Sequence, residues 1–267
     1  MVEVRLQFQL SLQKTVYVES VYWHVCAKSG GCALPSLPLA SASDFITYLA
    51  GVPCLDLQYT SQNVGYLFYP TYHTPYDTQH WVSLVDPHFK IHLAQAQLVA
   101  RLVFNLTESH LLPFNLTFLS SSLEEILRRT RLYYDAKLEE HNITLEYISE
   151  EATKLGETIK EFEKRKNQVK TGQKYEQDIR MLNRRMIGIN KMFLSPEDVP
   201  RRPGLKNVLY GISDNNFYPN ITLVAISNAV IDAEKKSGNW EDVKHQVSMT
   251  HHCIKQARDA LQMPLNN

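Results

Sequence analysis

Residues 148–162 read ISEEATKLGETIKEF and place an apolar side chain at every third or fourth position. The apolar positions are Ile148, Ala152, Leu155, Ile159 and Phe162, which follow a 4-3-4-3 spacing. Since an α-helix completes a turn in about 3.6 residues, these side chains lie along one helix face. The segment therefore predicts an amphipathic helix that buries this face against other helices.

Three further segments of the second half repeat the pattern. Their apolar positions are Leu123, Ile126, Leu127 and Ala136; Tyr175, Ile179, Leu182, Met186, Ile189 and Phe193; and Val243, Val247, Ile254, Ala257 and Leu261. Two or three heptads per helix are typical of a bundle and are too few for an extended coiled coil. We expect most of these stripes to form a core, and a bundle of this kind can use a remaining face for self-association.

Charge is distributed unevenly along the chain. Residues 1–118 hold 5 Lys or Arg and 7 Asp or Glu, whereas residues 119–267 hold 23 and 21. The shift predicts a domain boundary near Ser120, between an apolar, aromatic first part and a charged, helical second part. The formal net charge is zero, which argues against a nucleic-acid partner.

The first part mixes strand and helix patterns. Alternating apolar residues predict a strand over 2–12, and a second β-rich run follows over 15–26. A short helix is expected over 41–50 and a short strand over 55–59. Two helices are expected over 77–85 and 89–104.

Cysteines and glycosylation sequons give information on whether the chain is extracellular. Either Cys26 pairs with Cys32, or the four cysteines are unpaired core residues. Asn-x-Thr sequons occur at Asn105, Asn115, Asn142 and Asn220, which indicates an extracellular chain. No export signal or membrane span is recognisable in the sequence, so we expect both to lie outside this chain.

Several histidines are candidate metal ligands, although none belongs to a complete zinc motif. His73 lies in the aromatic stretch FYPTYHTPYDT over residues 68–78, and is either a ligand or a hydrogen-bonding loop residue. His88 and His92 are four residues apart, as on one helix face, and His251, His252 and Cys253 are adjacent. A hydrolytic zinc site needs at least three protein ligands, so residue types alone favour packing or surface roles.

The loop also carries a resemblance. Matching segments are Tyr69-Pro70-x-Tyr72-His73-Thr74-x-Tyr76-Asp77-Thr78, Asp86-Pro87-x-Phe89-Lys90-x-His92-Leu93, Val103-Phe104-x-Leu106, Leu112-Pro113-Phe114, residues 183–193, Asn207-Val208-Leu209-Tyr210, Asp232-Ala233-Glu234 and Trp240-x-x-Val243-Lys244. Together they resemble the C-terminal part of the glutamate carboxypeptidase II family, the N-acetylated alpha-linked acidic dipeptidases. The transferrin receptor is a non-enzymatic relative of that family. The resemblance covers residues 39–267 and is greatest to the divergent dipeptidase-like members.

The resemblance implies a fold that is mostly α or α+β. A partial α/β zinc-peptidase-like segment over 39–118 would precede a helical dimerisation domain over 119–267, after a divergent segment over 1–38. It also implies a homodimer on the extracellular side of a membrane, as part of a type II membrane protein whose anchor lies outside this chain. The parent family binds two zinc ions.

Site roles come from the same resemblance. His73 aligns with the last zinc ligand and Tyr72 with a tyrosine lining the site. Tyr218 aligns with a tyrosine that contacts the substrate's terminal carboxylate. Ser41 and Ser43 fall in a loop that closes over the substrate.

The chain also departs from the family pattern. The other zinc ligands and the general base belong to segments upstream of the match. Phe217 replaces a lysine that pairs with glutamate, and Asp56 and Gln58 stand where arginines are expected. Such changes remove the cations that an acidic ligand needs.

These observations favour a C-terminal fragment that is catalytically inactive by itself. It would provide a pocket wall, with room for a peptide ligand, and homodimerisation, and we expect it to bind no zinc alone. The alternative is the C-terminal part of an active two-zinc exopeptidase with non-glutamate specificity. A third interpretation is an unrelated helical interaction module.

Overall fold

The computed structural model describes residues 16–19, 24–27, 49–52, 71–171, 176–211, 222–235 and 238–262. Within the β-rich run, strands β1 (Val16–Glu19) and β2 (His24–Ala27) pair in a two-stranded sheet. The strands predicted over 2–12 and 55–59 lie outside the described residues. So does the helix predicted over 41–50, except for its last two residues, which are helical.

The contacts divide the chain into two compact units, and residues 56–113 belong to the first. Two helices lie in its described part, α1 (Gln79–Val85) and α2 (Lys90–Glu108). Both were predicted from the sequence, and α2 runs one turn beyond its predicted end. Its face towards the unit's interior carries Ala94, Leu98 and Leu102, all buried.

Residues 114–267 belong to the second unit. Its described helices are α3 (Thr117–Glu140), α4 (Glu146–Thr171), α5 (Glu176–Gly188), α6 (Val224–Glu234) and α7 (Trp240–Gln262). A 3-10 turn over Ile189–Phe193 continues α5. Helix α4 packs between α3 and α7, and α6 packs on α7. Every residue from Val224 to Ala233 of α6 is buried, so α6 is the central helix of this unit.

The apolar face predicted for residues 148–162 is confirmed in α4. Ile148, Leu155 and Ile159 are fully buried, and Ala152 and Phe162 nearly so. The expectation for α3 was wrong at one position, because Ala136 is exposed. Ala136 follows Leu127 by nine residues, which is about two and a half turns and leads to the opposite face. The buried face continues through Thr130 and Leu138 instead.

The start of α3 is held by two side chains of α4. Glu163 Oε1 accepts a hydrogen bond from the Leu116 N–H at 2.9 Å, and Lys166 Nζ donates to the Phe114 carbonyl. Glu163 and Lys166 also form an ion pair with each other, and both are largely buried. Burying two charges is tolerated because each is paired and satisfies a backbone group. The arrangement fixes where the second unit begins.

Among the described residues, no helix combines the length and the apolar composition needed to cross a bilayer.

Candidate functional site

The loop carrying His73 is a series of tight turns. The Thr74 N–H and hydroxyl both donate to the Thr71 carbonyl, at 3.1 and 2.7 Å, and the Asp77 N–H donates to the Thr74 carbonyl at 3.0 Å. His73 adopts a left-handed backbone with φ 58°. Its imidazole is exposed and stacks on Tyr72, with ring centroids 3.8 Å apart and planes 18° apart. The loop therefore presents an exposed histidine whose ring rests on a half-buried tyrosine.

A zinc site needs further ligands beside His73. No group of three His, Cys, Asp or Glu side chains that could hold a metal ion occurs in the described part of the chain. Within the described part of the chain, the exposed His73 ring, stacked on Tyr72, does not by itself fit a resident zinc ion.

Asp86 and His92 form a structural motif rather than part of a metal site. The Asp86 carboxylate is buried and accepts hydrogen bonds from the N–H groups of Lys90 and Ile91 at 2.9 Å and of His92 at 3.1 Å. It also bonds His92 Nδ1 at 2.8 Å. These are the unpaired donors of the first turn of α2, so Asp86 caps that helix. Sequence reasoning missed this role, because a capping side chain is expected directly before the first helical residue and Asp86 lies four residues before Lys90.

The Asp86 contacts alter its acidity. Burial raises the pKa of the carboxyl, but the hydrogen bonds from His92, Ile91 and Lys90 outweigh burial and lower the pKa overall. His88 and His92 were expected to have packing or surface roles rather than to form a ligand pair. Both are exposed, and they do not share a helix, because α2 begins at Lys90 and His88 precedes it.

The histidines beside Cys253 do not form a cluster either. Cys253 is fully buried and unpaired in α7, and burial raises the pKa of its thiol to about 11. His252 is exposed and bonds the Gln256 amide nitrogen at 2.7 Å. A thiol held in its neutral form inside the core is not available as a ligand or nucleophile.

In the second unit, three of the segments that carry the resemblance form contacts at loops and helix ends of the bundle. The buried Asn207 Oδ1 accepts from the Leu209 and Tyr210 N–H groups at 2.9 and 3.0 Å. Asp232 on α6 binds Arg201 Nε at 3.0 Å and Arg202 Nη1 at 2.6 Å. Trp240, at the start of α7, stacks on His141 beyond the end of α3 with centroids 3.6 Å apart. These contacts hold loops against the helices of the bundle.

Comparison with known proteins agrees with this bundle. Residues 143–262, from the end of the α3–α4 connection through α7, match the family described as transferrin receptor-like dimerisation domain. Aminopeptidase NAALADL1 of Rattus norvegicus is 28% identical over 245 residues, covering 86% of this chain and 32% of that protein. Probable glutamate carboxypeptidase VP8 of Zea mays is 28% identical over 238 residues, covering 86% of this chain and 31% of that protein. Probable glutamate carboxypeptidase LAMP1 of Arabidopsis thaliana is 26% identical over 220 residues, covering 80% and 30%.

Most of this chain is similar to glutamate carboxypeptidase-like proteins, and residues 143–262 match the transferrin receptor-like dimerisation domain. The chain spans about a third of the length of these relatives. The dimerisation domain of the glutamate carboxypeptidase-like chain comprises α4 to α7. It contains the contacts made by Asn207, Asp232 and Trp240.

Most of the predicted pocket of the glutamate carboxypeptidase-like chain lies outside the described residues. Ser41, Ser43, Phe217, Tyr218 and the sequon at Asn220 all fall there, as do Asp56 and Gln58. Cys32 is also undescribed, so the pairing of Cys26 with Cys32 stays a prediction. Of the pocket residues, the described part contains Tyr72 and His73.

The other three sequons differ in accessibility. Asn142 is exposed directly after the end of α3. Asn105 lies half-buried inside α2. Asn115 is half-buried, and its Oδ1 accepts hydrogen bonds from the N–H and the hydroxyl of Thr117, at 3.0 and 2.8 Å. Asn142 is therefore the most accessible of the three.

Proposed function

We propose that this chain is the C-terminal part of a glutamate carboxypeptidase-like protein, that its own contribution is homodimerisation, and that it is catalytically inactive by itself. The observation that carries the proposal is the match of residues 143–262 to a dimerisation domain. The matched residues pack around α6, α7 and the buried apolar face of α4, which supports a folded domain over this range.

The same proposal gives residues 39–118 the role of a peptidase-like α/β segment. Tyr72 and His73 would form part of a pocket wall that can contact a peptide ligand, with Tyr218, Phe217, Ser41 and Ser43 contributing to the same pocket. Support comes from the resemblance of the 69–78 segment and from the surface position of the stacked pair. Complete two-zinc chemistry would require further ligands beside His73, because the described residues contain no group of three metal-ligating side chains.

We further propose that the dimer lies on the extracellular side of a membrane, as part of a type II membrane protein. The sequons at Asn105, Asn115, Asn142 and Asn220 support this placement, and Asn142 does so most directly because it is exposed.

Co-expression of two differently tagged copies of the full chain tests the proposal. We expect the two copies to purify together through either tag, since a dimerisation domain pairs identical chains. Separate purification of each tagged copy, at concentrations where both are folded, would contradict it.

A further inference from the structure

Helix α2 has two apolar faces, and the structure buries one of them. The buried face carries Ala94, Leu98 and Leu102. Val103 and Phe104 follow Leu98 by five and six residues, about one and a half turns, so they lie on the opposite face. A helix that is apolar all round is normally buried all round. The second face of α2 therefore calls for a cover.

The second face is exposed along three turns of the helix. Leu93, Val103 and Phe104 are 58%, 54% and 63% exposed. Ala96 and Ala100 lie between them at helical spacing and are exposed as well. These five residues are called the α2 outer face below. Contiguous exposed apolar surface of this kind marks a place where another polypeptide segment docks.

The composition of α2 indicates what kind of segment fits the outer face. Between Ile91 and Thr107 the only Lys, Arg, Asp or Glu in the sequence is Arg101. The occupant should therefore offer apolar side chains rather than carboxylates or cations. A strand with apolar residues on one side meets this requirement, since helices pack on the apolar face of a sheet in mixed α and β folds.

The N-terminal segment of this chain has such a side. Residues 2–12, which lie outside the described residues, read VEVRLQFQLSL, with Val, Leu or Phe at every second position. In an extended strand all six apolar side chains would lie on one side. Three residues separate the segment from β1. Residues 16–18 of β1, all of β2 and all of α2 belong to the same compact unit.

We propose that residues 2–12 form a strand whose apolar side covers the α2 outer face. The short connection to β1 keeps the segment within reach of this unit. The unit also needs such packing, because the two-stranded sheet of β1 and β2 is marginally stable without a third strand or a helix against it. The proposal is independent of homodimerisation. It gives the divergent segment over 1–38 the role of completing the peptidase-like segment.

Two double variants that differ by one position along the strand test the proposal in the full chain. Leu6→Lys with Phe8→Lys places two cations on the apolar side, whereas Gln7→Lys with Gln9→Lys places two cations on the polar side. Because successive strand residues point to opposite sides, the second variant is a control of equal added charge. Hydrogen exchange measured by mass spectrometry on peptides from α2 reports how well that helix is covered. Peptides from α4 report whether the bundle is folded.

We expect α2 amides to exchange at least about tenfold faster than in wild type when Leu6 and Phe8 are changed, because the outer face loses its cover. The control should differ from wild type by less than about twofold, and α4 should exchange alike in all three proteins. Equal α2 exchange in all three proteins would overturn the proposal. Equal acceleration by both double variants would do the same.

A third variant approaches the contact from the helix. Val103→Lys with Phe104→Lys changes the outer face and should accelerate exchange in peptides from residues 2–12 by at least about tenfold. Exchange of residues 2–12 in wild type at the rate of an unstructured chain would overturn the proposal. So would α2 exchange that accelerates on dilution of wild type yet ignores the Leu6 and Phe8 changes, because the cover would then be a second copy.

Discussion

Asp86 and His73 both lie in the described part of the first unit, and their surroundings differ. The Asp86 carboxylate bonds three backbone N–H groups and one imidazole nitrogen. The His73 ring is exposed and rests on its neighbour Tyr72. A side chain with so many local bonds has a structural role, whereas the exposed histidine is available to a ligand or to other parts of a larger site.

The Asp86 cap predicts a pH-dependent loss of stability. Because hydrogen bonds lower its folded pKa, Asp86 stabilises the fold above its unfolded pKa of about 3.9, and this contribution is lost as pH falls through the lower folded value. We expect Asp86→Asn to lower the thermal unfolding temperature near pH 7, and the difference from wild type to shrink below about pH 4. Far-UV circular dichroism against pH measures both effects.

Glu108→Gln is the matched control for Asp86→Asn. It neutralises an exposed carboxylate at the C-terminal end of the same helix, where a negative charge opposes the helix dipole. This variant is expected to be at least as stable as wild type. Equal stability of wild type and Asp86→Asn at neutral pH would contradict the capping role.

Asn142 is predicted to be the principal glycosylation site among the three described sequons. It is exposed after the end of α3, while Asn105 lies within a helix and the Asn115 side chain accepts bonds from Thr117. When the chain is expressed through a secretory pathway, we expect Asn142→Gln to remove a glycan-sized mass shift on gel electrophoresis. A glycan that persists in Asn142→Gln and disappears in Asn105→Gln would contradict the prediction.

At the scale of the elements, helix positions could be predicted from the sequence much better than the bonds between helices. The 3.6-residue periodicity identifies α4, because each residue of its apolar face is buried by any hydrophobic neighbour and needs no specific partner. Thr130 shows the limit. Its hydroxyl is fully buried and accepts a bond from the Leu223 N–H at 2.8 Å, ninety-three residues along the chain. A polar residue on an apolar face gives no local signal of so distant a partner.

The Thr130 bond predicts a clear effect of Thr130→Val. The change keeps the shape of the side chain but leaves the buried Leu223 N–H without its acceptor, so it should lower the free energy of unfolding by about 1–3 kcal/mol. Thr153→Val is the control, because Thr153 is exposed and its hydroxyl donates to the carbonyl four residues back, as that of Thr130 does. We expect the control to change stability by less than about 0.5 kcal/mol in denaturant titrations. Equal effects of the two changes would contradict the role of Leu223.

The candidate site was less predictable than the bundle. Periodicity carries no information on which side chains meet, so the contact of His92 with the buried Asp86 carboxylate had no signal in the sequence. The sequence showed which segments resemble the family but not which contacts they make. The ion pairs of Asp232 with Arg201 and Arg202 give a structural reason for an aspartate at position 232.

At the scale of the whole molecule, the chain is predicted to bind no stoichiometric zinc. One histidine cannot supply the three or more ligands that a zinc site requires. Dialysis of the purified full chain against micromolar zinc, followed by metal analysis, should find well below one ion per chain. One tightly held ion per chain that is lost in His73→Ala would contradict this.

This glutamate carboxypeptidase-like chain is proposed to pair with itself, and its mass in solution shows whether it does. A single chain has a mass of 30.8 kDa. Sedimentation equilibrium of the purified full chain at tens of micromolar should give twice that value, with a concentration dependence that fits a monomer–dimer equilibrium. A mass of 30.8 kDa at every concentration would contradict the account.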